Sequence, residues 1–359
     1  MTIECDVLVV GGGPAGCSAA FFSKYYDKEN KYKVLLLERL PENKYSTYHD
    51  ICGCCISQRA FSEIKPIKPT NIVENVKYIK EYVEDEYIWK YTIDGYIIDR
   101  PKFLANIIDE YKRIGGEFKQ ESVTEIIQEK ETIKIKTDKK RTIKTKYLIA
   151  ADGTNSNIRK QLKIGEIHKT PVIQYIVDKK PEQGVLKFYY DEKYKGDYKY
   201  VFPNGDTTKI GFPLAAGKEM DFKDKILKKQ ARVVGCGGLK NFNFGNILFV
   251  GDAAGQTNIL SKGGIRPGMY AGKKAAESII VHKKPSGYNQ FWKQSIFNSQ
   301  KIVFAFEELK KMNNTQIMEH YEPFKGNLIL ALLKMKILPK YRKYKEIYSA
   351  YRLIEKTGW

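Results

Sequence analysis

The chain has 359 residues, 42% of them hydrophobic and 29% charged, with 62 Lys and Arg against 42 Asp and Glu, a net charge of +20. That length and apolar share exclude a disordered segment, a collagen-like chain and a small disulfide scaffold, and leave room for two or three lobes. No run approaches the roughly 18 to 20 apolar residues that span a bilayer, and the surplus of positive charge points to an anionic partner: nucleic acid, a lipid surface or a phosphorylated substrate.

The first six residues lead straight into an apolar run, without a basic region and hydrophobic signal core, which predicts a cytoplasmic protein whose six cysteines need not pair. Residues 6–10 predict a buried strand, 11–16 a glycine turn, 17–26 a helix opening on small residues, and 33–38 a second apolar strand ending in an acid. This βαβ unit predicts an α/β fold with a parallel sheet. Alternation over 73–92 predicts antiparallel strands. Pro101 opens a helix over 101–114, with Phe103, Leu104, Ile107, Ile108 and Tyr111 on one face and Gly115-Gly116 at its end. Strands are expected over 133–136 and 142–149, then over 172–177, 184–190, 198–202 and 208–212, the last two joined through Asn204-Gly205. From Gly268 the pattern is helical to the end. This order predicts a Rossmann-type α/β domain of 1–60, 95–165 and 240–285, interleaved with an antiparallel-sheet domain of 61–94 and 166–239. A helical C-terminal region of 286–359 follows.

Gly11-Gly12-Gly13-Pro14-Ala15-Gly16 satisfies G-x-G-x-x-G between a strand and a helix, and Glu38, followed by Arg39, stands 22 residues beyond Gly16 at the end of the next strand. Glycines let the backbone approach a pyrophosphate at the positive end of a helix, and the acid accepts hydrogen bonds from ribose hydroxyls. An acid there also disfavours a 2′-phosphate, so FAD or NAD is expected over NADP. Asp152-Gly153 and Gly251-Asp252 each follow a strand, and the second is followed by Ser261-Lys262-Gly263-Gly264-Ile265. An Asp at such a strand end suits a ribityl hydroxyl, and glycine amides opening a helix suit a flavin edge or phosphate.

With these three segments in register, residues 1 to about 280 resemble the flavoproteins of the para-hydroxybenzoate hydroxylase-like fold. Within them the chain is similar to the geranylgeranyl reductase family, which saturates isoprenoid double bonds with reduced FAD. Cys52-Gly53 matches that family's Cys-Gly beside the flavin. Asp99-Arg100-Pro101-Lys102-Phe103 looks like its D-R-x-x-F segment, which implies that Arg100 lies near the cofactor. Tyr198-Lys199-Tyr200-Val201-Phe202-Pro203 is similar to its Y-x-W-x-F-P strand, which implies that Tyr198, Tyr200, Phe202 and Pro203 line the substrate cavity. Tyr200 replaces the usual tryptophan, Asn258-Ile259 stands where many relatives have Asn-Pro, and Lys262-Gly263-Gly264 replaces Gly-x-Gly.

The resemblance implies a cofactor site of Gly11, Gly13, Pro14, Ala15, Gly16, Glu38, Arg39, Cys52, Gly53, Arg100, Asp152, Gly153, Gly251, Asp252, Gly263, Gly264 and Ile265, with Cys52 and Tyr200 in catalysis. An isoprenoid lipid would be the substrate, and NAD(P)H or ferredoxin the electron donor. Cys52 and Cys55 also form C-x-x-C, readable as a redox pair, half a metal site or small residues packed in a turn; no metal is expected. The alternative in the same fold is an FAD monooxygenase or halogenase-like enzyme acting on a small apolar or aromatic substrate. The basic, apolar stretch 328–345 predicts a helix on an anionic membrane surface, and without a nucleic-acid motif that partner ranks below a lipid.

Overall fold

Aliphatic runs and small residues dictate the frame of the molecule. In the computed structural model, which describes residues 2–129, 131–217, 223–326 and 328–357, β1 (Thr2–Val10), α1 (Pro14–Tyr26) and β2 (Val34–Glu38) form the opening βαβ unit, with Val7 to Val9 and Leu35 to Leu37 fully buried. Continuous apolar strands of this kind are what a parallel sheet covered on both faces requires. Next come α2 (Glu42–His49), β3 (Cys55–Ser57), α3 (Gln58–Glu63), the long hairpin of β4 (Ile72–Val83) and β5 (Glu86–Ile98), and α4 (Arg100–Arg113). Asp99 caps α4, its side chain accepting from the Lys102 amide, and the apolar residues expected on its inner face are all buried.

β6 (Glu117–Gln120), β7 (Val123–Gln128), β8 (Ile133–Thr137) and β9 (Thr142–Ala150) precede a short α5 (Asn157–Gln161). Then come β10 (His168–Val177), β11 (Val185–Tyr190), β12 (Lys199–Asn204), β13 (Thr207–Pro213) and β14 (Ile226–Cys236). Asn204 pairs with Thr207 across the β12–β13 turn, with Gly205 at φ +63°. β15 (Asn243–Phe244) and β16 (Ile247–Phe249) return to the first sheet, and six helices close the chain: α6 (Ile265–Ile280), α7 (Ser286–Gln294), α8 (Gln300–Leu309), α9 (Asn314–Tyr321), α10 (Leu328–Ile337) and α11 (Lys345–Thr357). The expected helical ending therefore begins three residues before Gly268, and positions 358 and 359 lie outside the described residues.

Two eight-stranded sheets result. The first runs β15-β16-β9-β1-β2-β6, with β8 and β7 attached beyond β9; the second runs β14-β10-β13-β12-β11-β4-β5-β3. β1 pairs parallel with both β2 and β9, Val10 facing Leu37 on one side and Ala150 on the other. The C-terminal ends of β1, β2 and β9 therefore stop side by side, the place where open α/β sheets bind ligands. Helices α1 and α6 cross over this edge through a seam of small residues. A Cβ on Gly272 would lie 2.2 Å from the Ala15 carbonyl oxygen, and Ser18 Oγ donates to the Met269 carbonyl at 2.6 Å.

Candidate functional site

A cavity of about 810 Å³ opens where the strand ends of the first sheet meet the face of the second, toward the upper end of the roughly 300–1,000 Å³ usual for small-molecule sites. Its first wall is the glycine turn. Gly11 sits at φ +105°, and a Cβ there would fall 2.3 Å from the Ala151 carbonyl oxygen, so only glycine permits β1 to turn this close to β9. The turn feeds α1, whose N-cap, Gly13, offers no side-chain oxygen; the unpaired amides of the first turn are left facing the cavity. Glu38 closes this corner. Its Oε2 accepts from the Gly12 amide at 2.6 Å and its Oε1 from the Leu40 amide at 2.8 Å, which fixes the carboxylate against the loop and leaves lone pairs for hydroxyl donors.

Opposite stand the two later glycine segments. Asp152 is half-buried, with its Oδ1 enclosed and unpartnered in the cavity wall, and desolvation raises its pKa. A buried acceptor without a donor fits a ligand hydroxyl. Asp252 is held more firmly: Thr257 Oγ1 donates to Oδ1 at 2.9 Å, while Thr154 Oγ1 at 3.2 Å and Arg232 Nη2 at 3.3 Å reach Oδ2. Gly264 begins α6 with no side-chain cap, so a second set of free helix amides faces the same space. Two uncapped helix starts, a fixed ribose-type acid and an orphaned carboxylate oxygen are a donor and acceptor set that fits FAD along the cavity's length.

The remaining wall carries sulfur and aromatic rings. The turn at 51–55 packs directly on β12: a Cβ on Gly53 would lie 2.6 Å from the Phe202 ring. Tyr198, Tyr200 and Phe202 all line the cavity with Phe188 and Phe212. The rings of Tyr200 and Phe202 lie against each other at a tilt of 33° with centres 4.6 Å apart, the Tyr200 hydroxyl donates to Gln174 Oε1 at 2.6 Å, and the Tyr198 hydroxyl donates to the Ser261 carbonyl. The aromatic strand is thereby tied to the loop before α6.

Cys52, Cys54 and Cys55 line the same wall. The Cys54 thiol bonds the Cys52 sulfur, and this bond, with the Arg100 and Arg232 charges, holds the Cys52 thiol well below the usual thiol range despite burial. The same bond, with burial, pushes Cys54 up, and burial raises Cys55. Cys54 adopts φ +58°, a left-handed conformation that costs about 1–2 kcal/mol for a residue with a Cβ. All six cysteines are free, and no metal-binding group of three or more His, Cys, Asp and Glu side chains occurs among the described residues.

Of the residues expected at the site, all line the cavity except two. Gly16 faces away and packs on the Gly11 carbonyl, where it lets α1 approach β1; Pro203 is committed to the β12–β13 ladder opposite Thr208. Neither residue lines the cavity wall. Sequence reasoning missed three contributors. Arg232 arrives from β14 and lies 5.0 Å over the Tyr48 ring. Gln174, from β10, orients Tyr200. His49 lines the cavity, with burial and then the charges of Arg100 and Arg232 holding its imidazole well below the histidine range; its carbonyl accepts from Arg100 Nε at 2.5 Å. His49 stood near the cysteines in the sequence, but nothing there marked Arg232 or Gln174.

Comparison with known proteins agrees with this geometry. Residues 5–180 match the model of the family described as pyridine nucleotide-disulphide oxidoreductase. The chain is 26% identical to the digeranylgeranylglycerophospholipid reductase of Methanococcus vannielii, over 94% of this chain and 97% of that one. It is also 26% identical to the geranylgeranyl diphosphate reductase of Synechocystis, over 77% of this chain and 75% of that one. The chain is an FAD-dependent oxidoreductase similar to geranylgeranyl reductases.

The fold is shared with solved structures of two kinds. A geranylgeranyl bacteriochlorophyll reductase-like protein of Thermoplasma acidophilum superposes with a TM-score of 0.81 at 20% identity, over 97% of this chain and all of that one. The p-nitrophenol 4-monooxygenase of Pseudomonas putida gives 0.70 at 15% identity, over 98% of each chain. This chain places its cofactor cradle on the parallel strands of the first sheet and closes it with a second sheet that is antiparallel except where β11 pairs with β4.

Proposed function

We propose that this protein saturates carbon–carbon double bonds of isoprenoid lipid chains. In this reading residues 1–60, 95–165 and 240–285 hold FAD, residues 61–94 and 166–239 shape the substrate space, and residues 286–359 form a helical buttress. The observation that carries the reading is the contact of the Cys52-Gly53 turn with the Tyr200–Phe202 ring stripe: an acidic sulfur and an apolar, aromatic surface share the wall facing the cradle. Reduced FAD, when bound there, supplies the hydride. An isolated alkene is a poor hydride acceptor, so the protein must place a proton donor at the other carbon and keep water from the developing cation. Cys52 and its neighbours supply the donor, and the ring faces of Tyr198, Tyr200 and Phe202 stabilise positive charge by roughly 0.5–2 kcal/mol each. Glu38, Asp152 and Asp252 hold the hydroxyls of the cofactor, and the amides opening α1 and α6 hold its phosphates and ring edge.

The external reductant in this reading is NAD(P)H or ferredoxin. The lipid reaches the cavity from a membrane face. α10 supports that access route, because Leu330, Leu332, Leu333 and Ile337 are exposed beside Lys334 and Lys336. The charge further on is partly answered within the protein: Lys340 pairs with Glu322 at 2.8 Å and Lys343 with Glu319 at 2.7 Å, both acids lying outside the acid-free stretch of sequence. No helix among the described residues is long and apolar enough to cross a membrane.

The deciding experiment is anaerobic. The FAD-loaded protein is reduced with dithionite and mixed with a geranylgeranyl-chain lipid; flavin reoxidation with a product two mass units heavier supports the reading. Reoxidation by oxygen alone, with an oxygenated or halogenated aromatic product, favours the monooxygenase alternative.

A further inference from the structure

Helix α2 grips the glycine loop and leaves one buried nitrogen unsatisfied. Tyr45 donates its hydroxyl to the Gly12 carbonyl at 2.6 Å, and the Cys17 thiol reaches the same oxygen at 2.9 Å. With Glu38 on the Gly12 amide, both backbone groups of Gly12 are engaged and α2 is fixed against the loop. One turn on from Tyr45, His49 ends the helix. It is 3% exposed and lines the cavity, and its Nδ1 has no hydrogen-bond partner among the described residues. The ring lies against those of Tyr45 and Tyr48, with centres 4.3 and 5.2 Å away. A Cβ on Gly13, the N-cap of α1, would lie 3.6 Å from His49 Cε1, the carbon between the two ring nitrogens. The edge of the imidazole therefore stands at the start of α1, where unpaired amides favour a phosphate.

We propose that His49 is a cofactor-binding residue, donating its Nδ1–H to the pyrophosphate of FAD beside the amides that open α1. The inference needs FAD in the cradle and is independent of which substrate is reduced. A buried ring nitrogen without a partner calls for a ligand atom that supplies one. At the glycine loop FAD presents acceptors, the non-bridging oxygens of its pyrophosphate, so the nitrogen facing them must be the donor. The two guanidinium groups facing the ring are already engaged. Arg100, from α4, donates from Nε to the His49 carbonyl at 2.5 Å and from Nη2 to the Ile51 carbonyl at 3.4 Å, and Arg232, from β14, is paired with Asp252. Burial, and then these two positive charges, keep the imidazole neutral at pH 7, so it holds one N–H and one lone pair. His49 thus adds a hydrogen-bond donor to the phosphate site without adding a third positive charge next to Arg100 and Arg232. The hydrogen bond from Arg100 to its carbonyl and the anchoring of Tyr45 on Gly12 hold the ring in place before the cofactor arrives, so little ordering is left for binding to supply.

The test compares wild type, His49→Phe and His49→Gln in the full chain, freed of FAD and titrated at pH 7 with FAD, with ADP, which keeps the pyrophosphate, and with riboflavin, which lacks it. Losing a hydrogen bond to a charged oxygen should weaken FAD and ADP binding in His49→Phe by roughly tenfold or more, with riboflavin binding unchanged. His49→Gln, whose side-chain amide supplies an N–H, should recover most of that loss. The melting temperature of the FAD-free His49→Phe protein should be unchanged or higher, because the substitution removes a buried polar atom that has no partner until the cofactor binds. If Phe crowds Gly13 and the variant does not fold, His49→Leu carries the same comparison. In wild type, nitrogen-15 spectra of the histidine-labelled protein should show a neutral ring whose Nδ1–H signal moves on adding FAD or ADP and stays put on adding riboflavin. Unchanged FAD affinity in the ring variant, an equal loss for riboflavin, or an Nδ1–H signal unmoved by FAD would overturn the assignment.

Discussion

Arg232 on β14 reaches across from the second sheet and donates to Asp252, the acid that ends the last strand of the first, at 3.3 Å. This ion pair bridges the two sheets beside the cofactor cradle, and its removal is the simplest way to loosen the cradle. Hydrogen bonds to charged groups are worth about 1.5–3 kcal/mol, so Arg232→Met should weaken FAD binding by roughly 10- to 100-fold. Titration of the apoprotein with FAD, followed by flavin fluorescence, measures the change; an unchanged Kd would remove Arg232 from the cradle.

Tyr200→Phe keeps the ring and removes the donor to Gln174. The Gln174 side chain already spends its amide N–H on Gln230 Oε1 at 2.7 Å, so its oxygen would be stranded at a cost of about 1–3 kcal/mol. The expected result is a melting temperature lower by a few degrees together with a changed KM for lipid, the ring beside Phe202 no longer being fixed. Thermal unfolding and steady-state kinetics on one preparation separate the two effects.

His320 provides a prediction about pH. It is fully buried among Tyr321, Tyr344, Tyr348 and Tyr351, neither ring nitrogen has a partner, and burial lowers its pKa to about 3. The unfolded chain takes up this proton near pH 6.5, whereas the folded one does not until about pH 3. Stability is therefore complete above pH 6.5 and falls as pH drops toward 3. Asp50 acts lower down. Burial would raise it, but Lys209, Lys228 and Gln230 hold it at about 2, so its contribution is present above about pH 4 and lost between there and 2. His320→Phe should flatten the stability profile between pH 6.5 and 4 while leaving the loss below 4, and Asp50→Asn should do the reverse. Urea unfolding across that range reads both slopes.

Flotation with vesicles tests the access route. Binding to anionic vesicles at low salt, reduced by salt and by the pair Leu333→Glu and Ile337→Glu, is the expected pattern, since near-surface lysines contribute about 1 kcal/mol each. Equal recovery of wild type and variant in the soluble fraction at low salt would end the membrane proposal.

The cofactor half of the molecule was legible because its signals are local. Gly11 to Gly16, Glu38, Asp152 and Asp252 sit at strand ends that a short window of sequence reveals. The polar neighbours in the other half were not, because their partners are distant in the chain. Asp50 meets Lys209 and Lys228, and Tyr200 meets Gln174, only after the second sheet is assembled. β14 was invisible for a different reason: its first residues, including Ile226 and Leu227, are exposed, so the alternation that marks a strand is absent. α2 was hidden too, because only Tyr45 and His49 of its eight residues are buried.

The seam between α1 and α6 works as a spacer of fixed gauge. With Gly272 pressed on Ala15 and Ser18 bonded to Met269, the two helix starts that face the cavity cannot slide or spread independently. The distance between the two ends of a dinucleotide is thus gauged by backbone against backbone rather than by any side chain that touches the ligand. This is why loop changes such as Lys262 in place of glycine leave the gauge intact, whereas a single methyl group at 272 would act as a shim, forcing the helices apart.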